Sequence, residues 1–166
     1  MSLIYGDLET FSPIDLKRCG THAYAEQAEI LLFPYALDEG EVKCWDATSG
    51  DAMPEDLAAQ LQDQNILTVW HNGGMFDLTI LKHVRPNGMA LPHSRVFDTM
   101  ACALAHSLPA GLGVLGDVLG VKEDKAKHKT GQKLIQLFCK PRPKNSELRR
   151  ATRETHPVEW QQFIDY

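Results

Sequence analysis

The spacing of hydrophobic and polar positions along the chain predicts strands in its first third. Segments 3–9, 29–37 and 41–45 are rich in strand-forming residues, and a turn-like Asp-Glu-Gly sequence at 38–40 joins the last two. We therefore expect the chain to begin with three antiparallel strands.

Strands and helices then alternate along the chain. The continuous apolar run at 66–70 is typical of a strand covered on both faces, and segment 96–98 predicts one further short strand. Helices are expected over 54–62 and 74–83, the second because its apolar residues recur at helical spacing.

Beyond Thr99 the pattern is helical alone. Apolar stripes at 112–119 and 134–138 predict two helices, and Pro157 suits the first turn of a last one. This order of elements favours an α/β fold in a single domain over 1–166, with a mixed sheet flanked by helices and a helical C-terminal part.

The composition narrows the class of protein. With 43% hydrophobic and 23% charged residues, the chain is not a disordered, collagen-like or disulfide-rich protein. Its four cysteines form no CxxC pair, so we expect reduced thiols, no structural zinc site and a cytoplasmic location. The longest apolar run, 30–37, contains Pro34 and is shorter than the roughly 20 residues that span a membrane.

The net charge of −5 is unevenly distributed. Residues 1–120 carry 6 Lys and Arg against 16 Asp and Glu, whereas residues 121–166 carry 11 against 6. An ordinary solvated surface can show such clustering. It is also typical of a protein that holds metal cations with one surface and binds nucleic acid with another.

Two acidic residues stand close together on the first predicted strand. Asp7 and Glu9 are two positions apart, so both side chains are expected on the same face. Carboxylates this close raise each other's pKa unless a cation lies between them, and paired hard oxygens suit Mg²⁺ or Mn²⁺. The alternative is a solvated edge strand with two surface acids.

A third acid lies in the helix that follows the buried strand. Asp77 precedes Ile80, Leu81 and Val84 at helical intervals, which places its carboxylate on or beside the face packed against the sheet. Burial of a carboxylate without a partner is costly. The alternative is a first-turn acid that interacts with the helix dipole.

Two polar residues near these acids have structural explanations. His71, at the end of the buried strand, is expected to form hydrogen bonds, since an oxygen-rich magnesium site has little use for imidazole. Asp98 stands before Thr99 and is expected to cap a helix, with an extra acid of the site as the alternative.

Three motifs follow one another along the chain. Asp-x-Glu lies on the first strand, His-Asn…Phe-Asp lies at a strand-to-helix junction, and Trp-x-x-Phe-x-x-Tyr lies on a late helix. This ordered set resembles the DEDD superfamily of 3′-to-5′ exonucleases, and is similar above all to the proofreading domains of bacteriophage family A DNA polymerases. The likeness covers nearly the whole chain.

The resemblance implies an RNase H-like fold and two-metal hydrolysis of phosphodiesters at the 3′ end of single-stranded DNA. By their place in the motifs, Asp7, Glu9 and Asp77 would hold two Mg²⁺ or Mn²⁺ ions, and Tyr166 would orient the attacking water. The implied partner is the polymerase domain of a longer parent chain, with no membrane involved.

This sequence departs from the family pattern at two places. The family has a fourth acid four positions after the tyrosine, whereas this sequence ends at Tyr166. We therefore expect a domain truncated at its C-terminus and weak in activity. The family asparagine stands four positions before the second-motif aspartate, whereas Asn72 stands five before Asp77.

Further residues are candidates for contact with nucleic acid. Thr10 and Phe11 follow the first motif, although core packing is an equal alternative for Phe11. A basic segment between the last two apolar stripes is expected to be a mobile loop that either follows phosphates or is simply solvated. The candidates are Thr10, Phe11, Asn72, Lys125, Lys127 and Lys129.

Two other functions are open at this point. An RNA-directed exonuclease would carry the same motifs, and a preference for ribose would distinguish it. A catalytically silent module that binds nucleic acid or protein, and that retains the three acids, is the alternative from another class.

Overall fold

The computed structural model describes residues 2–86, 91–121, 125–143 and 145–166, with the backbone alone for 125–129. In this part of the chain six strands form one sheet, flanked by helices. The strands are β1 (Leu3–Gly6), β2 (Glu9–Phe11), β3 (Glu29–Leu37), β4 (Lys43–Asp46), β5 (Leu67–Trp70) and β6 (Val96–Asp98). The helices are α1 (Leu16–Glu26), α2 (Glu55–Gln62), α3 (Asp77–Val84), α4 (Thr99–Ala105), α5 (Leu112–Leu119), α6 (Lys125–Phe138) and α7 (Pro157–Ile164).

The sheet has a mixed topology. Its strand order is β2-β3-β1-β5-β6, and β4 pairs with β3. Strand β3 runs antiparallel to β1, β2 and β4, whereas β5 pairs in parallel with both β1 and β6. The predicted α/β fold with an antiparallel beginning is therefore confirmed.

The first predicted strand is interrupted. The sequence predicts one strand over 3–9, whereas the structure has β1 and β2 with a break between them. Gly6 pairs with Tyr35 and Glu9 pairs with Leu32, so the register against β3 is the same on both sides of the break. The two strands thus follow the same path along β3, on either side of a short interruption.

Pro34 explains the break. The amide of Asp7 donates to the carbonyl of Pro34 at 3.2 Å. Proline has no amide hydrogen to donate in return, so the ladder lacks the reciprocal bond at this point. Asp7 and Leu8 consequently lie outside the strands, and the prediction that Asp7 shares a continuous strand with Glu9 is wrong.

Helix α1 is an element that the sequence pattern did not predict. Gly20, with a φ of 77°, interrupts its helical geometry and weakens the periodic signal. Asp15 caps the helix, because its Oδ1 accepts the amides of Lys17 and Arg18 at 2.8 and 3.3 Å. The helix packs against α3 and buries Tyr24.

Two hydrophobic cores cover the two faces of the sheet. Neighbouring residues Leu32 and Phe33 belong to different cores, because successive side chains of a strand point to opposite faces. The first core packs α1, α2 and α3 on the sheet, with Ile4 and Trp70 among its buried members. The second core packs α6 and α7 around Phe138.

Two predicted elements differ in extent or form. The helix expected over 74–83 begins at Asp77, because a turn precedes it. The segment with Lys125, Lys127 and Lys129 is the beginning of α6 and not a loop, so that prediction is wrong. The side chains of these three lysines lie outside the described residues.

Helix α5 has the predicted extent but an unusual surface. Leu115 is buried, whereas Leu112, Val118 and Leu119 are each exposed over more than half of their surface. Helix α5 has only 8 residues despite this apolar surface. None of the helices in the described ranges is long and apolar enough to cross a membrane.

Candidate active site

The candidate site lies at the carboxyl ends of the parallel strands β1 and β5. Asp7 directly follows β1, and a turn over 71–76 follows β5 and leads into α3. In open α/β sheets, ligands bind at this edge, where the order of strands reverses. Strand β1 lies between β3 and β5, so the edge beside Asp7 is such a position.

The amide of Leu8 lies in the break between β1 and β2. Leu8 follows Asp7 and belongs to neither strand. Its amide donates to Oδ1 of Asp7 at 3.0 Å, which fixes that carboxylate beside the break.

Asp77 is deeply buried. It is the first residue of α3, and 3% of its surface is exposed. Its Oδ1 is buried and has no hydrogen-bond partner among the residues that the structure describes. A buried carboxylate oxygen without a partner costs free energy, which marks this atom as a position for a cation or a proton.

Glu9 opens β2 on the other side of the break. Its Oε2 accepts a hydrogen bond from the thiol of Cys139 at 3.3 Å, although the two residues are 130 positions apart. Cys139 comes directly after α6. Sequence reasoning missed this contact because no motif connects the two residues and the fold alone brings them together.

Burial raises the pKa of all three acids. For Asp77, burial and then the charge of Asp7 raise the pKa to about 8. For Glu9, burial and then the charge of Asp7 raise the pKa to about 7. Burial also raises the pKa of Asp7, while the Leu8 amide and His71 oppose that rise. The charge of Asp7 thus acts on both Glu9 and Asp77.

The three acids do not form a ready-made metal cluster. Within the described ranges, no group of three or more His, Cys, Asp and Glu side chains is arranged to hold an ion. Asp7 directs Oδ1 to the Leu8 amide and Glu9 directs Oε2 to Cys139, as mutual repulsion favours. The donor set itself, three hard carboxylates with one unpartnered oxygen, is of the kind that Mg²⁺ or Mn²⁺ prefers.

Asp98 holds the turn after β5. Its Oδ1 accepts the amide of Asn72 at 3.0 Å and its Oδ2 accepts that of Gly74 at 2.9 Å, while Oδ1 also caps α4. The predicted capping role is confirmed. Asn72 has a φ of 67°, and a methyl group at Gly73 would lie 2.2 Å from Cβ of Trp70, so the turn depends on glycine.

His71 connects three elements by hydrogen bonds. Its Nδ1 lies 2.9 Å from the hydroxyl of Thr99, and its Nε2 lies 2.8 Å from the carbonyl of Ala110. The Thr99 hydroxyl also lies 3.0 Å from the carbonyl of Trp70. The prediction that His71 is a hydrogen-bonding residue is confirmed.

Thr10 and Phe11 are buried in the fold. The hydroxyl of Thr10 lies 3.0 Å from that of Tyr24. Phe11 packs in the second core, with the guanidinium carbon of Arg150 4.2 Å from its ring centroid. Phe11 therefore has the packing role that the sequence left open, and its contact with nucleic acid stays a prediction, as it does for Thr10.

A cavity of about 430 Å³ adjoins Glu9. Its walls come from β2, the beginning of α1 and the segment after α6, and they include Lys17 and Lys140. A cavity of this size accommodates a small ligand. Because α1 forms one wall, the sequence pattern that missed this helix also missed Lys17 as a residue that lines the cavity.

Tyr166 follows α7 and packs on α6. A methyl group at Gly131 would lie 1.9 Å from Cζ of Tyr166, so the ring rests on the glycine, and 39% of Tyr166 is exposed. Gly131 precedes Cys139 by two helical turns, about 12 Å along the helix axis. The structure thus places Tyr166 on the helix that brings Cys139 to Glu9, and its role toward water stays a prediction.

The chain is similar in sequence to a DNA polymerase of Bacillus phage SP02. The two are 34% identical over 167 residues, an alignment that covers 96% of this chain and 25% of the polymerase. The chain therefore spans about a quarter of the length of the phage protein that it matches. No protein-family model matches the chain.

Solved exonuclease structures have the same fold. NrnC of Brucella melitensis matches with a TM-score of 0.53 and 22% identity over 74% of this chain and 55% of NrnC, which has also been solved with Mg²⁺ and with pGG. Exonuclease I matches with a TM-score of 0.53 and 13% identity over 75% of this chain and 37% of its own. These matches establish an RNase H-like fold, and with the phage similarity they confirm the resemblance that the motifs indicated.

We expect Asp77→Asn to stabilise the chain in chelator at about pH 8, where thermal unfolding measures the effect. Folding raises the pKa of Asp77 from 3.8 to about 8, so the folded chain keeps a proton that the unfolded chain releases. The free energy of unfolding therefore falls as the pH rises from about 4 to about 8, and the asparagine removes part of that fall. Each 1 kcal/mol corresponds to about 2–4 °C in a domain of this size.

Asp98→Asn is the matched control for this prediction. Although burial raises the pKa of Asp98, its amide hydrogen bonds, that of Gly74 first, lower the pKa overall. Neutralising Asp98 should therefore lower the melting temperature at the same pH. A melting temperature of Asp77→Asn below that of the wild type at about pH 8 would contradict the assignment of Asp77 as a destabilising buried acid.

Proposed function

We propose that the domain over 1–166 is a metal-dependent 3′-to-5′ exonuclease that hydrolyses terminal phosphodiesters of single-stranded DNA and proofreads within a DNA polymerase. The observation that carries the proposal is the set of three acids at the carboxyl edge of the sheet, buried Asp77, partly buried Glu9 and the more exposed Asp7, each with a raised pKa. The fold shared with exonucleases and the similarity to a phage DNA polymerase support it.

Asp7, Glu9 and Asp77 would hold two divalent cations, Mg²⁺ or Mn²⁺. The buried, unpartnered Oδ1 of Asp77 and the repulsion that Asp7 exerts on both neighbours fit such a role. When bound, ions of this kind lower the pKa of a water molecule and stabilise the attacking and leaving oxygens of the phosphate. The structure of NrnC with Mg²⁺ supports the choice of ion.

Basic residues would bind the phosphates of the substrate strand. Lys17 and Lys140 line the cavity beside Glu9, and the last 46 residues of the chain carry 11 Lys and Arg against 6 Asp and Glu. The acids of the first 120 residues would repel DNA unless cations neutralise them. The other residues proposed to contact the strand are Thr10, Phe11, Asn72, Lys125, Lys127 and Lys129.

Two further parts of the proposal follow from the resemblance to phage polymerases. Tyr166 would orient the attacking water, and the polymerase domain of the same polypeptide would deliver the 3′ end. All four cysteines are free thiols in the structure, which suits the reducing cytoplasm of a host cell.

We expect the chain with Mn²⁺ to shorten a single-stranded DNA oligonucleotide from its 3′ end. A 5′ label would then appear in a ladder of shortened products, whereas a 3′ label would be released at once as mononucleotide. Asp7→Asn should lower the rate by about 100-fold or more, because it removes a charge that the cations need. Asp51→Asn, at an exposed acid away from the site, should retain the rate.

The same assay decides between DNA and RNA. An RNA oligonucleotide at equal salt tests the contribution of the 2′-hydroxyl. Faster cleavage of RNA would favour the RNA-directed alternative. Binding of either strand without any cleavage that depends on Asp7 would favour the silent module.

A longer chain, with an aspartate four positions after Tyr166, should cleave faster by about 100-fold or more. On a continuing helix that aspartate would share a face with Tyr166 and complete the set of four acids. The matched control carries asparagine at the added position. Equal rates for the two extended chains would contradict the assignment of a fourth acid to that position.

Gly131→Ala should displace the ring of Tyr166 and lower the cleavage rate by about tenfold while the chain stays folded. Tyr166→Phe, which keeps the ring and removes the hydroxyl, should lower the rate to a similar extent. Both variants should retain the Mn²⁺ affinity of the wild type. An unchanged rate for both would exclude Tyr166 from the reaction.

A further inference from the structure

A thiol donates a hydrogen bond to one of the candidate metal-binding acids. Sγ of Cys139 lies 3.3 Å from Oε2 of Glu9. At this distance the thiol is the donor of the hydrogen bond and the carboxylate oxygen is its acceptor. A thiol is a weak donor, and each carboxylate oxygen can accept such a bond.

The second core fixes the position of this thiol. Phe138, the preceding residue, is fully buried, stacks on Phe163 with ring centroids 5.3 Å apart and meets Trp160 edge-on at 4.8 Å. The amide of Cys139 donates to the carbonyl of Ile135 at 2.9 Å. The packing of α6 against α7 therefore fixes the position of the thiol, which contacts Glu9 from that position.

Glu9 has more need of such a restraint than the other two acids. Asp7 is held by the Leu8 amide, and Asp77 is held by burial at the beginning of α3. The glutamate side chain has one more rotatable bond than aspartate, and freezing such a bond when a ligand binds costs conformational entropy. A hydrogen bond that is already in place removes part of that loss.

We infer that Cys139 is a positioning residue, whose thiol holds the Glu9 carboxylate in one orientation and thereby sets the affinity of the site for divalent cations. The inference rests on the proposed function, because it concerns the same acids. The unpartnered Oδ1 of Asp77, in a residue 3% exposed, is an independent sign that a cation belongs at this edge. The thiol acts through Glu9 and not on the reacting atoms.

The test is the Mn²⁺ affinity of the whole chain, measured by calorimetry and by the rise in melting temperature that Mn²⁺ causes. Cys139→Ser keeps a donor, whereas Cys139→Val keeps the volume and removes the donor. We expect the serine variant to stay within about threefold of the wild type and the valine variant to bind about tenfold more weakly, as losses of outer-shell partners do. A role in packing alone gives the opposite order, because valine then replaces the buried thiol better than a hydroxyl does.

Activity adds a second measurement. In Cys139→Val the Mn²⁺ concentration that gives half of the maximal cleavage rate should rise about tenfold, while the rate at saturating Mn²⁺ stays close to that of the wild type. Cys102→Val, at a partly buried thiol on α4, is the matched control and should bind Mn²⁺ as the wild type does. Melting curves in chelator report whether each variant is folded.

The outcomes separate this inference from the proposed function. Mn²⁺ binding that Asp7→Asn abolishes, with equal affinities for the wild type and Cys139→Val, overturns the inference alone. No binding that depends on Asp7 in the wild type overturns the proposed function and the inference together. If Cys139→Val does not fold, Cys139→Ser and Cys139→Ala are compared instead, and equal affinities overturn the inference.

Discussion

The missing amide hydrogen of Pro34 is the constraint on which the candidate site depends. In an antiparallel pair of strands every second pair of opposite residues exchanges two hydrogen bonds, whereas the pair of Asp7 and Pro34 forms only one. The first line of chain therefore divides into β1 and β2 while keeping its register against β3. The break leaves Asp7 and the Leu8 amide at the carboxyl edge of the sheet, where β5 has already ended and α3 begins.

Two acids at this edge differ in the number of hydrogen bonds that they accept, and their pKa values shift in opposite directions. Asp98 accepts four backbone amides, which outweigh its partial burial and lower its pKa. Asp77 is buried more deeply, and its Oδ1 has no partner among the described residues. The fold satisfies the charge of Asp98 with amides, whereas backbone hydrogen bonds lower the pKa of Asp77 too little to offset its burial, and its Oδ1 is open to a cation or a proton.

The parts of the structure that could be predicted from the sequence are those that local patterns determine. The apolar run before β5, the helical spacing after Asp77, the start of α7 at Pro157 and the capping by Asp98 all depend on residues a few positions apart. The order of the acidic motifs carried the resemblance to exonucleases; solved exonuclease structures share the fold, and a phage DNA polymerase is similar in sequence.

The parts that could not be predicted depend on distant residues or on an irregular backbone. The strand break could be predicted only by knowing that Pro34 pairs with Asp7. The sequence of one strand does not determine its register against another strand. The non-helical backbone at Gly20 interrupts the helical pattern of α1. The sequence therefore predicted neither this helix nor the wall that it forms in the cavity beside Glu9. The lysines at the beginning of α6 lack the apolar periodicity that reveals a helix, so the segment resembled a loop.

The 130 positions between Glu9 and Cys139 also order the events of biosynthesis. At the usual speed of translation, roughly 7–26 s separate the emergence of the two residues from the ribosome. The segments that contain Asp7 and Asp77, through the end of α3 at Val84, are synthesised well before α6. The three acids are thus synthesised before Cys139, and Glu9 can gain its thiol partner only after α6 has been synthesised.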